Sequence, residues 1–588
     1  MTLFPPDRSE LDRITPVTVV ARHRTAMTRT FLSRPVQQLL TDGLLQEGTS
    51  FFDFGCGRGG DVRRLQDLGH LATGWDPAHA PSAPKLRAKV VNLGYVINVI
   101  EDQNERRQAL LDAWGLTEEV LVVSARLDWE SASSQGKTFG DGLVTKTGTF
   151  QKYYSQSELR AWIDVVTGSR SVAAAPGIFY VFRSSVAEQR LLAHHAREGH
   201  GSRLGIAELI YGQHRELLAP LERWVEEHRS LPTPPDLANS TQIVETFDSI
   251  RSAFSLIRRV TDSSRWIGVN LGSRRSSEAV FEANLDLLQP LIDFLSERGR
   301  LPHSGELTDE AAINDQFGSV RRAFSLVRRV TGAERWVDLE ARSGRDFLVY
   351  LALAAFVGRP KFGELPEDLQ HDARDFFGSY KEACGQADAL LFGAGNQEAL
   401  ELACRSTPFG KLTPEALYVH VAGLPQLPAL LRVYAGCSET LTGKVDDATL
   451  LKIHRLKPQV SFLLYPTFDK DPHPALSASI VGRLHDYSVS YKDFSERENP
   501  PILHRKEAFV PLDYPGREKF ERLTLQEERA GLLNDPTIGT RQGWSNALSD
   551  AGYALRGHRL INSPAHQISP DRTPTMGSSY TDPPSTPN

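Results

Sequence analysis

Cysteine is scarce in these 588 residues, and its four copies, Cys56, Cys384, Cys404 and Cys437, form no C-x-x-C pair. That argues against a zinc site built on thiolates and against a disulfide framework, and it fits reduced thiols in a cytoplasm. Long apolar runs are missing too, since none approaches the roughly 18 residues that span a bilayer. The first 14 residues lack the charged-then-apolar layout of a signal peptide. The expected location is cytoplasmic, with no membrane partner. Strong charge of one sign is also absent: the net charge is −6, so any nucleic-acid contact must come from a local cluster. A hydrophobic content of 40% and a charged content of 24% suit a soluble globular chain. The length asks for about three or four domains.

The most informative stretch is FFDFGCGRGGDVRRL, residues 51–65. Phe51, Phe52 and Asp53 read as the end of a buried strand. Gly55, Gly57 and Gly59 make a turn free of side chains, and Asp61 opens a helix with Val62 and Leu65 on its apolar side. Such a turn lets backbone N–H groups and a helix N-terminus approach a ligand closely. No Lys-Ser/Thr pair follows, which excludes a phosphate loop, and the glycine spacing departs from the dinucleotide pattern, which disfavours a dehydrogenase. A short strand ends at Asp76-Pro77, about twenty residues on, where a carboxylate can accept hydrogen bonds from ribose hydroxyls. The alternative for Asp76 is a turn or helix-cap residue.

Strands and helices alternate up to residue 183, which predicts a parallel sheet covered on both faces. Residues 131–149 read as a polar loop. The run SVAAAPGIFYVFR (171–183) reads as two β segments suited to an antiparallel edge pair. Arg22, His23 and Arg24 offer a basic stretch that could meet a phosphate or carboxylate.

From about 191 to 339 the pattern turns helical and repeats with a period of about 70. FDSIRSAFSLIRRVTDSSRW (247–266) matches FGSVRRAFSLVRRVTGAERW (317–336), and a degenerate third copy starts at Phe377-Gly378-Ser379. Arg258, Arg259, Arg328 and Arg329 lie among arginines with few acids nearby, an electrostatic footprint for phosphates. The alternative is that these arginines form salt bridges between stacked repeats. Farther on, His473, His504, Asp469 and Asp471 could ligate a metal, but their spacing fits no ligand pattern. A satisfied structural network is the reading there, and no metal is expected. The tail from Asn562 is rich in Pro, Ser, Thr and Gly and is expected to be disordered.

The glycine-turn stretch resembles class I S-adenosylmethionine-dependent methyltransferases. That resemblance implies S-adenosyl-L-methionine as cofactor, with Asp53, Gly55, Gly57, Gly59, Asp61 and Asp76 holding it. Asn92-Leu93-Gly94-Tyr95 sits where amino-methyltransferases of nucleic acids carry (Asp/Asn)-Pro-Pro-(Tyr/Phe), though both prolines are missing. Asn92 and Tyr95 are therefore the candidates to line the methyl-acceptor site. The repeats loosely resemble the short repeats found beside homing endonucleases, thought of as helix-turn-helix DNA binders. DFGCGRGGDVRRL, GWDP, VVNLGYVINVIED, GTFQKYYSQSELRAWI, PGIFYVFR, ALYVH, YPTFDKDPHPAL and NPPILHRKEAFV together resemble the methyltransferase family associated with DNA phosphorothioation systems. That resemblance implies a modification or defence role near sulfur-modified DNA, with DNA and phosphorothioation-system proteins as partners.

The expected architecture is an α/β Rossmann-like methyltransferase domain, then an all-α repeat region, then a C-terminal α+β domain. The expected boundaries are an arm and helix (1–40), the cofactor domain (41–190), the DNA-binding repeats (191–344), the α+β domain (345–561) and the tail (562–588). The rival reading is a non-catalytic DNA-binding accessory protein that keeps a cofactor-shaped pocket.

Overall fold

The computed structural model describes residues 20–26, 30–133, 135–197, 211–212, 214–247, 249–266, 268–269 and 276–563. Residues 1–19 of the expected arm and 564–588 of the expected tail lie outside them.

Helix α1 (Arg34–Thr41) begins behind Ser33, with Pro35 in the first turn, where a missing N–H costs nothing. Strand β1 (Ser50–Phe54), α2 (Gly60–Asp67), β2 (Leu71–Trp75), β3 (Ala88–Gly94), α3 (Gln103–Leu116) and β4 (Thr117–Ser124) follow. Next comes a small antiparallel sheet, β5 (Gly136–Phe139), β6 (Gly142–Thr145) and β7 (Phe150–Gln151), in place of the expected polar loop. Its hairpin turns at Gly140-Asp141, and Asp141 then binds Arg106 at 2.7 Å and Lys152 at 3.3 Å. Helix α4 (Gln156–Thr167), β8 (Ser171–Ala175), β9 (Ile178–Phe182) and α5 (Ser185–Arg197) complete the unit.

The main sheet has the order β2-β1-β3-β4-β9-β8, with the first four strands parallel and β9 antiparallel to both neighbours. Alternate residues feed two cores, as a strand covered on both faces requires. Phe51, Val90, Val122 and Tyr180 pack under Val36 and Leu39 of α1 and Leu65 of α2. Phe52, Val91, Leu121 and Val181 pack under Leu110 of α3 and Leu159 and Ile163 of α4.

Two helical units follow. The first contains α6 (Arg215–His228), α7 (Ser240–Phe247) and α8 (Ile250–Val260). After α9 (Ser276–Ala283), the second contains α10 (Leu285–Arg298), α11 (Glu310–Phe317) and α12 (Val320–Thr331). Leu218, Leu221, Val225, Leu237, Ile243, Ala253, Ile257 and Trp266 form the first core, and the residues 70 positions later form the second. The indole N–H of Trp266 donates to Thr261 at 2.7 Å and that of Trp336 to Thr331 at 2.8 Å. Phe254 and Phe324 meet these rings edge-on. Ser249 and Ser319 cap α8 and α12 by accepting from the backbone N–H three residues on.

Helix α13 (Glu334–Val357) runs through the boundary expected at 344/345. Ser343-Gly344 is a point of close approach and not a break: a Cβ on Gly299 would lie 2.3 Å from the Ser343 hydroxyl, and Gly344 faces Phe376 and Phe377. Helices α14 (Glu367–Phe377) and α15 (Tyr380–Ala394) repeat the Gly-Ser turn, with Gly378 left-handed and Ser379 capping α15. After α16 (Gln397–Ser406) comes an antiparallel meander of β10 (Lys411–Leu412), β11 (Ala416–His420), β12 (Leu450–His454), β13 (Gln459–Leu464), β14 (Ala478–Arg483) and β15 (Val489–Asp493). Helix α17 (Ala429–Thr442) packs on it, and α18 (Arg517–Arg529), α19 (Arg541–Asp550) and a hairpin of β16 (Tyr553–Leu555) and β17 (Leu560–Asn562) close the chain.

The units are joined by buried polar contacts. The edge strand β8 is covered at its end by the turn after α17, where Lys444 N–H donates to Ala174 O at 3.0 Å. Asp372 on α14 is fully buried and accepts from Arg197 at the end of α5, from Arg298 at 3.2 Å and from Arg300 at 2.6 Å. Arg300 also forks onto Glu306 at 2.6 and 2.7 Å. Removing one partner of such a buried cluster costs about 3–5 kcal/mol, because the remaining charges lose their compensation. Asp372→Ala should therefore lower the unfolding free energy by about that amount in urea titrations. A loss below about 1 kcal/mol, the range of exposed pairs, would show that the cluster does not clamp the units together.

Candidate functional site

The strand order reverses between β1 and β3, since the chain goes outward to β2 and then returns to the other side of β1. In doubly wound sheets the crevice at the carboxyl ends of such strands is where ligands bind. Here that crevice is bounded by the turn after β1 and by residues 92–98 after β3.

The turn is shaped by glycine backbone. Gly55, Gly57 and Gly59 have φ of 86°, 53° and 69°, all in the left-handed region. A Cβ on Gly55 would lie 2.5 Å from Val96 Cγ2, so no side chain fits there. The N–H groups of Gly55 and Cys56 donate to Trp75 O at 2.8 and 3.0 Å, which stitches the turn to the end of β2. Gly57 N–H donates to Asp76 Oδ2 at 3.0 Å. Glycine turn and acid, nineteen positions apart, are thus directly bonded.

Asp76 also accepts from the N–H groups of Ala78 and His79 on Oδ1, both at 2.8 Å. The turn-residue reading and the acid-at-the-crevice reading therefore hold together. A carboxylate offers about four lone-pair positions. Three are taken, and the remaining one on Oδ2 can receive one hydroxyl of a ribose.

Asp53 and Asn92 are cross-strand neighbours in register, and Asn92 Nδ2 donates to Asp53 Oδ1 at 2.9 Å. Both are buried, Asn92 at 2% exposure. Asn92 therefore braces the floor of the crevice through Nδ2, while its Oδ1 is buried with no hydrogen-bond partner among the described residues. Tyr95 is half-buried at the rim with φ of 59°, a strained value for a residue with a Cβ, and its N–H donates to Ser124 O at 3.0 Å. Asp61 is turned away from the crevice: its Oδ1 accepts from Ser33 N–H at 2.9 Å and so fixes the start of α1. Cys56 stays a neutral thiol, because burial and the nearby Asp53 and Asp76 carboxylates push it up to about 12.

The N-terminal arm crosses this crevice. A Cβ on Gly57 would lie 3.2 Å from Ala26 Cβ. Arg22 forks onto Glu101 at 2.8 Å twice and reaches Glu105 at 2.5 Å, so of the carboxylate and phosphate partners open to it, carboxylates hold it in this structure. Arg126 meets its neighbours through its backbone carbonyl, which accepts from Tyr154 N–H. A cavity of 1880 Å³ lies elsewhere, along the seam between β8, α5, α10, α13 and α17, and no residue of the glycine turn lines it.

A second candidate surface lies on the helical units. Helix α12 carries Arg321, Arg322, Arg328 and Arg329, all exposed, and contains no acid. None of the four has an acidic partner among the described residues, and Arg329 reaches only the Ser277 hydroxyl at 3.3 Å. Arg258 is the exposed equivalent on α8, while the side chain of Arg259 lies outside the described residues. Arg265 behaves differently, pairing with Glu222 at 3.1 Å and Glu226 at 3.0 Å inside its own unit. Arg265 thus makes salt bridges within its own unit and not between repeats, and Arg258, Arg321, Arg322, Arg328 and Arg329 have no acidic partner among the described residues.

No protein-family model and no curated protein matches the chain. Three solved structures are similar to it over 28% of its length, and all are methyltransferases. They are the sugar N-methyltransferase KedS8 from Streptoalloteichus sp ATCC 53650 (14% identity, 87% of that chain, TM-score 0.20), the magnesium protoporphyrin IX methyltransferase ChlM from Synechocystis PCC 6803 with bound SAH (14%, 93%, 0.20) and the 1,6-didemethyltoxoflavin-N1-methyltransferase from Burkholderia thailandensis (13%, 78%, 0.19). At those TM-scores the likeness carries no argument of its own, and the site must be read from its geometry.

Three left-handed glycines, a cradle that Val96 closes to any Cβ and an acid bonded to the turn fit a nucleoside-bearing ligand. Gly55→Ala tests the cradle. It should destabilise the protein by about 1–3 kcal/mol from left-handed strain alone, with further loss from the clash. Adding Val96→Ala should recover the clash portion in thermal unfolding. A double variant no more stable than Gly55→Ala would show that Val96 does not limit the turn.

Proposed function

We propose that the first unit binds S-adenosyl-L-methionine at the carboxyl ends of β1 and β3 and that the protein is a methyltransferase acting on or near DNA. The Gly57–Asp76 hydrogen bond at the reversal of strand order is the observation that carries this reading. It joins the backbone turn suited to the methionine end with the carboxylate suited to the ribose. Methyl transfer from a sulfonium is an in-line displacement: the acceptor forms a bond to the methyl carbon as the S–CH3 bond breaks and the electron pair stays on sulfur. Alignment supplies most of the acceleration. In this chain the floor set by Asp53 and Asn92 and the rim at Tyr95 would supply it. The exposed arginines of α8 and α12 would hold the phosphate backbone and present the acceptor. Resemblance to the phosphorothioation-associated family supports a place beside sulfur-modified DNA.

One observation favours the accessory reading. Asn92 Nδ2 is engaged with Asp53 and the side chain is only 2% exposed, so an acceptor amine reaches its unpartnered Oδ1 only if the rim moves. Calorimetric titration with S-adenosylmethionine and S-adenosylhomocysteine decides between the two. Micromolar binding that weakens at least tenfold in Asp76→Ala supports the cofactor site, that factor corresponding to about 1.4 kcal/mol. No binding by the folded wild type leaves the accessory reading.

The DNA face is tested separately. Arg328→Ala with Arg329→Ala should weaken duplex binding similarly across sequences and reduce the slope of log K against log salt by about two, one per lost phosphate contact. An unchanged slope would remove α12 from the interface.

A further inference from the structure

His473, His504 and Glu527 come from three separate segments: the loop 465–477, the segment 499–505 and helix α18. The sequence pattern paired the two histidines with Asp469 and Asp471, but those acids are used elsewhere. Asp469 accepts from the Tyr514 hydroxyl at 2.9 Å, and Asp471 accepts from the backbone N–H of His473 at 3.0 Å. Glu527, 54 positions from His473, takes their place.

The outward nitrogen of each imidazole faces a backbone carbonyl, which can only accept. His473 Nδ1 lies 3.2 Å from Leu503 O, and His504 Nε2 lies 2.8 Å from Ile538 O. Each outward nitrogen must therefore carry its hydrogen, which fixes both tautomers. The inward atoms, His473 Nε2 and His504 Nδ1, are then lone pairs when the rings are neutral. They converge with the Glu527 carboxylate so that one ligand atom from each residue lies within 4.8 Å of the others. Glu527 has no exposure and His473 only 7%. The Trp544 ring stands 4.6 Å from His473 and 4.8 Å from His504, centroid to centroid.

Lone pairs and a carboxylate cannot be buried together without a cation. A proton on His473 would satisfy only its 2.7 Å contact with Glu527 Oε1. It would leave His504 Nδ1 and Glu527 Oε2 buried with no hydrogen-bond partner among the described residues. Of the nearby cations, Lys506 is spent on Phe468 O at 2.5 Å, Asp471 O at 2.7 Å and His558 Nε2 at 3.0 Å, and Arg505 pairs with Glu528. A divalent transition metal would use all the inward atoms at once. Imidazoles anchored by their second N–H to carbonyls are also what metal-ligating histidines show.

We infer that His473, His504 and Glu527 bind a divalent metal ion of the zinc class that staples α18 to the C-terminal meander. Two nitrogens and a carboxylate suit Zn2+, with Co2+ as its spectroscopic stand-in. The inference is independent of the methyltransferase reading.

The test uses the full chain purified without a histidine tag. Mass-spectrometric metal analysis should find close to one Zn2+ per chain, either as purified or after exposure to Zn2+ and gel filtration. Co2+ in its place should give visible d–d bands, and chelation should lower the unfolding temperature. Glu527→Gln and His504→Ala should each lower metal retention at least tenfold. Should either variant fail to fold, the wild-type Co2+ spectrum still decides. A folded wild type that retains neither Zn2+ nor Co2+ would overturn the inference and leave a protonated His473–Glu527 pair. Retention unchanged in both variants would overturn it equally.

Discussion

Asp372 is the point on which the assembly of this chain turns. A carboxylate with no solvent contact must be fully compensated, and it is compensated by arginines from two different parts of the molecule. Arg197 ends the last helix of the sheet unit, and Arg298 and Arg300 end the first helix of the second repeat. Asp372 itself lies on α14, the helix that leads into the third copy. One buried charge therefore sets how the sheet, the repeats and the C-terminal body meet, with Arg300 extending the cluster to Glu306 and Arg298 to Asp368. Arg432, which joins Asp346 at 2.6 Å and Ala196 O at 2.7 Å, extends the same seam. The large cavity runs along this seam, beside apolar packing of Ala193 and Ala196 against Phe347 and Tyr350.

What the sequence discloses of this architecture is what local rules govern. The glycine turn was legible because only glycine tolerates three left-handed positions in five residues. The two helical units were legible because a 70-residue period preserves core positions, caps and the Trp–Thr hydrogen bond alike. Contacts between segments distant in sequence were not legible. Asp61 obeys the pattern of a cofactor turn, yet its carboxylate holds Ser33. The boundary expected at 344/345 falls inside α13, beside the point where Ser343 packs against Gly299. Glu527 has no local signature at all, since it becomes informative only beside two histidines that folding brings to it.

Asn92 shows where the two levels conflict. Its position at the end of β3 suggests a side chain that meets an acceptor. Register places it opposite Asp53, and two buried polar groups in register will pair before either reaches outward. The missing prolines after Asn92 fit this, because Leu93 continues the strand with a buried apolar side chain and Gly94 remains in it. The crevice is consequently floored by a polar pair that leaves Asn92 Oδ1 unpartnered among the described residues, and its rim is where Tyr95 is strained and the arm lies over Gly57.

The third copy of the repeat separates what the fold needs from what the surface does. Ser379 caps α15 as Ser249 and Ser319 cap their helices, and Ala383 and Ala387 fill the positions of Ala323 and Val327. The arginines are the part that is not kept: α15 has none, and it packs against α13 and α17. Packing of this helical pair therefore proceeds without a basic face. In α12 four arginines stand exposed as two adjacent pairs two helical turns apart, with no acid in the helix to offset them, so the basic face is a surface feature that nothing in the packing of the unit requires.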